Sequence, residues 1–123
     1  MQMRTVLIVD DSEFIRALIT MALSESGEYK IVGEAADGKT AIEMVTNLAP
    51  DVITLDNILP DMIGIDLVKE LRNKAIDTKI IMISSVEQKS IIDEGMKNGV
   101  NDYLIKPFTK EDILERLGKL FEN

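Results

Sequence analysis

The chain contains neither cysteine nor histidine among its 123 residues. Without cysteine there are no disulfide bonds, no thiolate metal sites and no cysteine nucleophiles. Without histidine there is no Ser-His-Asp catalysis, no histidine-ligated zinc and no phosphohistidine on this chain. Any chemistry must therefore come from carboxylates, hydroxyls, lysines and a hard metal ion.

Long hydrophobic runs and basic surface are also scarce. No stretch approaches the ~20 apolar residues that a membrane span needs, and the first apolar stretch, Val6–Val9, is short and closes on two acids. We therefore expect a cytoplasmic protein without membrane insertion. The formal net charge of −8 argues against direct nucleic-acid binding, which requires basic surface. Most of the excess acid is expected to serve solubility.

Short apolar runs alternate with helical patterns along the chain. Four runs predict strands: Val6–Val9, Val52–Leu55, Ile80–Ile83 and Tyr103–Ile105. A fifth segment, Tyr29–Ala35, mixes charged with apolar residues, so we expect a strand at a sheet edge. The continuous, isoleucine-rich runs are typical of parallel strands that are buried under helices on both faces.

Five amphipathic segments follow these strands. Gly27 and Gly99 predict the ends of the first and fourth helices, and Thr109 predicts the N-cap of the last. The third helix is expected from about Ile65 to Arg72 and the fourth from about Lys89 to Asn98. The apolar positions at helical spacing, which are predicted to face the core, are Phe14, Ile15, Leu18, Ile19, Ala22 and Leu23 in the first helix, Ala41, Ile42, Val45 and Leu48 in the second, and Ile113, Leu114, Leu117, Leu120 and Phe121 in the last.

Five strands that alternate with five helices predict an α/β fold, with one doubly wound, five-stranded parallel sheet and helices on both faces. The flavodoxin-like strand order 2-1-3-4-5 is common at this size, and it puts the ligand-binding crevice between the first and third strands. Asp10, Asp11 and Asp56 follow those two strands. We expect a single domain over residues 1–123, because this length leaves little room for a second.

Ser84 and Lys106 end the fourth and fifth strands, so a hydroxyl and an ammonium join the three carboxylates at one edge of the sheet. Three carboxylates in one crevice repel one another, and a divalent cation relieves that repulsion. Mg²⁺ suits such a site better than Ca²⁺, since few protein ligands are on offer and water completes its octahedron. Asp56 would then act as a nucleophile toward phosphorus, Lys106 would neutralise phosphoryl oxygens, and Ser84 would hydrogen-bond one of them afterwards.

Each of these residues alone has a simpler interpretation. The acid pair alone could belong to a cap of the following helix, with Asp11 or Ser12 as the capping residue, and Asp56 alone could form a turn before Pro60. Ser84 alone could begin a loop, and Lys106 alone could be a solvated charge. Phosphoryl transfer is the favoured interpretation because four strand ends carry the required groups together.

Four segments of the chain form a specific pattern when they are taken together: VLIVDDSEFIR, DVITLDNILPDMIG, IIMISS and NDYLIKPFTKEDI. With these segments the chain resembles, over its whole length, the receiver domain of bacterial response regulators, in particular the stand-alone chemotaxis (CheY-like) type. The resemblance implies that Asp56 is the phosphoacceptor. It also implies that Asp10, Asp11 and Asp56 hold Mg²⁺ together with the backbone carbonyl of Ile58.

The same resemblance assigns the remaining site residues. It implies that Lys106 and Ser84 act with Asp56 in phosphorylation, and that Ser84 and Tyr103 form the switch. We expect the phosphoryl group to draw the Ser84 hydroxyl inward, which would vacate space for Tyr103. The Lys106–Pro107 peptide bond is usually cis in such domains.

Two positions depart from the family pattern. Asn57 replaces the common apolar residue after the acceptor, and Ile63 stands where Asp or Asn usually precedes the glycine. We expect neither residue to touch the metal or the phosphate, and both to alter the loop and hence the partner.

These features predict a signalling switch of a two-component system, which accepts a phosphoryl group from a histidine kinase and then changes its binding to a downstream protein. It would not be an enzyme beyond catalysing its own phosphorylation and dephosphorylation. Met1 and the polar end Phe121–Asn123 favour a stand-alone regulator over a receiver domain cut from a larger one. A small phosphatase with an aspartyl nucleophile is the less favoured alternative, because VDDSEF lacks the Asp-x-Asp of the haloacid dehalogenase type. A flavodoxin is disfavoured because acids occupy its phosphate-loop position.

Overall fold

A computed structural model of the protein describes residues 3–122. Strands and helices alternate throughout this range, as the sequence pattern predicts. The strands are β1 (Arg4–Val9), β2 (Tyr29–Ala35), β3 (Val52–Leu55), β4 (Lys79–Ser84) and β5 (Asp102–Ile105). The helices are α1 (Glu13–Ser26), α2 (Gly38–Leu48), α3 (Gly64–Asn73), α4 (Lys89–Lys97) and α5 (Lys110–Leu120). Within residues 3–122, no helix has the length and apolar character that crossing a membrane requires.

All of these strands lie parallel in one sheet, in the order β2-β1-β3-β4-β5. This confirms the predicted doubly wound α/β fold with the order 2-1-3-4-5, and it confirms the edge position of β2. β1 and β3 are neighbours, and Val9 pairs with Leu55 at their carboxyl ends. The segments that leave these two strands therefore begin side by side.

Helices cover both faces of the sheet and create two core layers. α1 and α5 pack on one face, where Leu23 and Leu117 are buried against β1 and β4 residues. α2, α3 and α4 cover the other face, where Val45 and Leu71 are buried. β3 is buried along its whole length because its alternate residues face opposite layers.

Side-chain caps fix the beginnings of three helices. Ser12 begins α1 and Asp37 begins α2, and each side chain accepts a hydrogen bond from a backbone N–H of the first turn. Thr109 begins α5 as predicted, in a capping box with Asp112. Gly27 ends α1 in the left-handed conformation at φ 72°, which a residue without a Cβ adopts at no steric cost. The turns next to the sheet are thus set by local sequence.

Three of the positions predicted to face the core are exposed instead. Phe14 is 70% exposed, and Leu18 and Leu48 are also exposed. Phe14 lies in the first turn of α1 and Leu48 is the last residue of α2, so both lie near the limit of the surface that the sheet can cover. A helical period defines a stripe, but a sheet of finite size buries only part of that stripe.

Candidate functional site

Three carboxylates meet at the carboxyl ends of β1 and β3. Asp10, Asp11 and Asp56 each offer an oxygen atom, and these oxygens lie within 4.8 Å of one another. Asp10 is only 2% exposed and Asp56 is 9% exposed, whereas Asp11 is exposed. The sheet therefore brings together the acids that the sequence singled out, and it holds two of them away from bulk water.

Asp10 is hydrogen-bonded through both carboxylate oxygens. Its Oδ1 atom accepts from the Ser12 N–H at 2.9 Å, and its Oδ2 atom lies 2.9 Å from the Lys106 Nζ atom. Ser12 is also the N-cap of α1, so the cap role that the acid pair could have taken belongs to its neighbour. Neither Asp10 nor Asp11 caps α1, and both carboxylates belong to the cluster in the crevice.

Lys106 joins the ends of three strands. Its backbone N–H donates to the Ser84 carbonyl at 2.9 Å, and the following bond to Pro107 is cis, as the resemblance implies. Its ammonium lies 2.9 Å from Asp10 and 3.5 Å from Asp56. With a side chain that is only 17% exposed, Lys106 is not the solvated charge of the simpler interpretation.

Asp56 sits in an environment that disfavours its charge. Burial raises the pKa of its carboxyl above the usual range, and the negative charge of Asp10 raises it further. The Lys106 ammonium and the Ile58 N–H, which donates to Asp56 Oδ1 at 3.3 Å, lower that pKa and offset part of the effect. A carboxylate held in this way is more basic than one in water, and it gains from any added positive charge nearby.

The donor set of the crevice fits a hard divalent cation. All three carboxylates offer oxygen atoms at close range, and one ammonium stands against three acids. Oxygen ligands are what Mg²⁺ and Ca²⁺ prefer, and the exposed position of Asp11 leaves room for water ligands. Asp10, Asp11 and Asp56 could therefore hold a metal ion.

Ser84 and Tyr103 both hold the backbone of Val86, in the loop after β4. The Ser84 hydroxyl accepts from the Val86 N–H at 3.2 Å, and the Tyr103 hydroxyl donates to the Val86 carbonyl at 3.0 Å. Burial raises the pKa of Tyr103, while the nearby Ser84 hydroxyl lowers it. Tyr103 already lies inside the fold in this conformation, so the two predicted switch residues are joined through one peptide segment.

Arg16 has a role that the sequence analysis did not assign. Its guanidinium donates to the Asp10 carbonyl at 2.7 Å and forms an ion pair with Glu34 on β2 at 3.1 Å. Arg16 therefore fixes the backbone from which the first acid projects. Its position in the sequence could have indicated this role, because Arg16 is the only basic residue of α1 and follows Ser12 by one helical turn.

Comparison of the sequence and the fold with known proteins points to one family. A family model described as the response regulator receiver domain matches residues 6–118. The chain is similar to the chemotaxis protein CheY of Thermotoga maritima, with 37% identity over 117 residues that cover 95% of this chain and 97% of that protein. It is also similar to the transcriptional regulatory protein YdfI of Bacillus subtilis, with 32% identity over 94% of this chain and 54% of that protein.

A solved structure with a closely similar fold is the CheX–CheY–BeF3–Mg²⁺ complex from Borrelia burgdorferi. The match has a TM-score of 0.93 and 29% sequence identity, and it covers 98% of this chain and 90% of that chain. Together with the family model, this match spans nearly the whole described chain. The resemblance stated from the four sequence segments is confirmed.

Proposed function

The chain belongs to the response regulator receiver domain family, and from that premise we propose that it works as a phosphorylation-dependent switch with Asp56 as the phosphoryl acceptor. The observation that carries the proposal is the position of Asp56 between an acid and an ammonium. Its carboxylate is nearly buried, within 4.8 Å of the oxygens of Asp10 and Asp11 and 3.5 Å from Lys106.

In the proposed reaction an Asp56 oxygen attacks the phosphorus of a phosphohistidine on a histidine kinase. The O–P bond forms, the N–P bond breaks, and the imidazole nitrogen keeps the electron pair. The environment that raises the pKa of Asp56 makes its carboxylate a better nucleophile. Lys106 lies near enough to Asp56 to move from Asp10 toward the new phosphoryl oxygens, where its charge would stabilise the transition state.

We assign Mg²⁺ as the cofactor, held by Asp10, Asp11, Asp56 and the Ile58 carbonyl. When bound, the ion would supply positive charge against the phosphoryl oxygens and relieve the repulsion among the acids. The all-oxygen donor set supports a hard cation. The hydrogen bond from the Ile58 N–H to Asp56 supports a role for that loop, because it ties the peptide of Ile58 to the acceptor.

The proposed output is a change in the loop after β4. A phosphoryl group on Asp56 offers the Ser84 hydroxyl a stronger acceptor than it now has, and Ser84 would then release the Val86 N–H. Because Tyr103 holds the carbonyl of the same residue, movement of Val86 would reach β5 and the surface made by α4, β5 and α5. A downstream protein partner would bind that surface differently in the two states.

Exposed apolar side chains near the crevice support a protein as phosphoryl donor. Phe14 follows Asp11 by three residues, Ile58 follows Asp56 by two, and Ile63 pairs with Ile58 in a β-bridge. All three are more than half exposed. Apolar groups in this position favour docking of a protein surface over that of a small soluble donor, and we propose the cytoplasm as the compartment where a histidine kinase would reach it.

Labelling with acetyl phosphate tests the proposed function. We expect stoichiometric phosphorylation of the protein in the presence of Mg²⁺ and little in the presence of EDTA. Catalytic turnover of a phosphoester such as p-nitrophenyl phosphate, without a stable phosphoprotein, would favour the phosphatase alternative instead. No labelling of the folded protein at saturating Mg²⁺, either by acetyl phosphate or by a phosphorylated histidine kinase, would contradict the switch.

A further inference from the structure

The amino terminus of α3 has an apolar N-cap residue. Ile63 occupies the cap position in an extended conformation, φ −79° and ψ 141°, and its side chain makes no capping hydrogen bond. Ser12, Asp37 and Thr109 do make such bonds at α1, α2 and α5. The first backbone N–H groups of α3 must therefore find acceptors elsewhere, since a helix cannot supply them itself.

Asn57 accepts hydrogen bonds from the first two N–H groups of α3. Its backbone carbonyl accepts a hydrogen bond from the Gly64 N–H, and its side-chain Oδ1 accepts from the Ile65 N–H at 3.3 Å. Gly64 and Ile65 are the first two residues of α3. Asn57 is only 5% exposed, so this carboxamide is held inside the fold, directly after Asp56.

Gly64 allows α3 to approach the acceptor this closely. A Cβ atom at Gly64 would lie 2.6 Å from the Asp56 carbonyl oxygen and 2.8 Å from the Asn57 Cα atom. The loop is closed on its other side by the β-bridge between Ile58 and Ile63. The start of α3 thus packs against the peptide that follows Asp56, and Asn57 joins the two by main chain and side chain.

We propose that Asn57 is a positioning residue, whose carboxamide replaces the missing N-cap of α3 and thereby fixes the backbone of Asp56 and Ile58. Asn57 and Ile63 are then a matched pair, because the capping group that position 63 lacks is provided from position 57. The capping role stands on the geometry alone. The effect on phosphorylation rests on the proposed function of Asp56.

Moving the capping group between the two positions tests this inference. The proteins to compare are the wild type, Asn57→Leu, Ile63→Asn and the double variant Asn57→Leu/Ile63→Asn. Leucine keeps the shape of asparagine without its acceptor, and position 63 is exposed enough to change at little cost. Two quantities are measured: hydrogen exchange of the Ile65 amide by NMR, and the initial rate of phosphorylation by acetyl phosphate at saturating Mg²⁺.

We expect Asn57→Leu to speed exchange of the Ile65 amide by about tenfold, the size of effect that loss of an N-cap produces, and to slow phosphorylation several-fold. Ile63→Asn should leave exchange of the Ile65 amide slow, because Asn57 still supplies the acceptor, and its phosphorylation rate is the reference for the double variant. The double variant should regain most of the slow Ile65 exchange and most of the phosphorylation rate. The reason is that a carboxamide at position 63 reaches the N–H groups of the same first turn. Asn57→Asp, which keeps the acceptor oxygen, should retain slow exchange.

Several results would overturn the inference. Unchanged exchange of the Ile65 amide in Asn57→Leu would contradict the capping role. Faster exchange with an unchanged phosphorylation rate would contradict the positioning role. A double variant that recovers neither quantity would also count against it. If Asn57→Leu does not fold, folding of the double variant supports the cap and failure of both overturns it. A wild type that is never labelled would contradict the function of Asp56 while the exchange data still decide the cap.

Discussion

The Lys106 ammonium and the Asp10 carboxylate form an ion pair at 2.9 Å that is largely closed to solvent. The same ammonium lies 3.5 Å from Asp56. A buried charge that loses its partner is strongly destabilising, more so than the intact pair is stabilising. Lys106 therefore compensates the charge of Asp10, and the proposed function gives the same ammonium a second role toward Asp56.

Replacement of Lys106 by methionine should destabilise the metal-free protein by about 3 kcal/mol, the scale set by removing one partner of a buried pair. Mg²⁺ should recover part of that loss. The free energy of unfolding is measured with urea, with and without Mg²⁺. Lys110→Met is the matched control, because Lys110 pairs with the exposed Glu25 and should change stability little. Equal effects in the two variants would contradict the assignment.

Substitution of Asp56 by asparagine should stabilise the metal-free protein at neutral pH, because the folded state raises the pKa of Asp56 through burial and the charge of Asp10. At pH values between the ordinary pKa of 3.8 and the raised pKa, Asp56 keeps its proton in the folded protein but has lost it in the unfolded chain. Stability of the wild type therefore falls as the pH rises through that window. Urea unfolding from about pH 4 to pH 7 should give a difference between the two proteins that grows with pH. A pH-independent difference would refute this.

Much of the fold was predictable because four of the five strands are built around a short, mostly apolar run. Val52–Leu55 was predicted with its observed bounds, since an acidic residue, Asp51 or Asp56, stands directly on each side of the run. Arg4 was not predicted in β1, although it pairs with Tyr29, because backbone pairing at a strand end does not require an apolar side chain. Phe14 shows the opposite error, where helical spacing predicted burial of a residue that is exposed.

The convergence of the three acids and Lys106 at one edge of the sheet was predictable, but their individual contacts were not. Strand ends are recognisable in the sequence, and parallel strands bring their ends to one edge. No local pattern distinguishes the buried Asp10 from the exposed Asp11, because the difference depends on which one meets Lys106, 96 residues later in the chain. The hydrogen bond from the Ile65 N–H to Asn57 could not be predicted from the sequence either. It links Asn57 to the uncapped helix start at Ile63, and in the sequence these two residues look like unrelated departures from the family pattern.

Substitution of Asp11 by asparagine should weaken Mg²⁺ binding by about tenfold or more, equivalent to at least ~1.4 kcal/mol. Asp11 contributes one of the three clustered oxygens and lies where water can complete the coordination. The dissociation constant is measured by calorimetric titration at constant ionic strength. Glu13→Gln, which removes a nearby exposed acid outside the cluster, is the control for general electrostatic attraction. The same loss in both variants would mean that Mg²⁺ is attracted by net charge alone.

The Ser84→Ala variant should still be phosphorylated, but its phosphorylation should be uncoupled from Tyr103. In the wild type, phosphorylation should shift the NMR signals of the Val86 amide and the Tyr103 ring, since both groups are joined through Val86. Those shifts should be smaller in Ser84→Ala and unchanged in Ser85→Ala, which alters an exposed neighbour. Full shifts in Ser84→Ala would show that the signal leaves the crevice by another route.

The position of the phosphoryl group is the most direct test of the proposed switch. The wild-type protein is labelled with acetyl phosphate and Mg²⁺, the acyl phosphate is reduced with borohydride, and the modified residue is located by mass spectrometry of the peptides. Asp56 should be reduced to homoserine in the labelled protein only, and Asp56→Asn should take up no phosphate although it remains folded. Phosphate on Ser84, on Asp10 or Asp11, or retained in Asp56→Asn would contradict Asp56 as the acceptor.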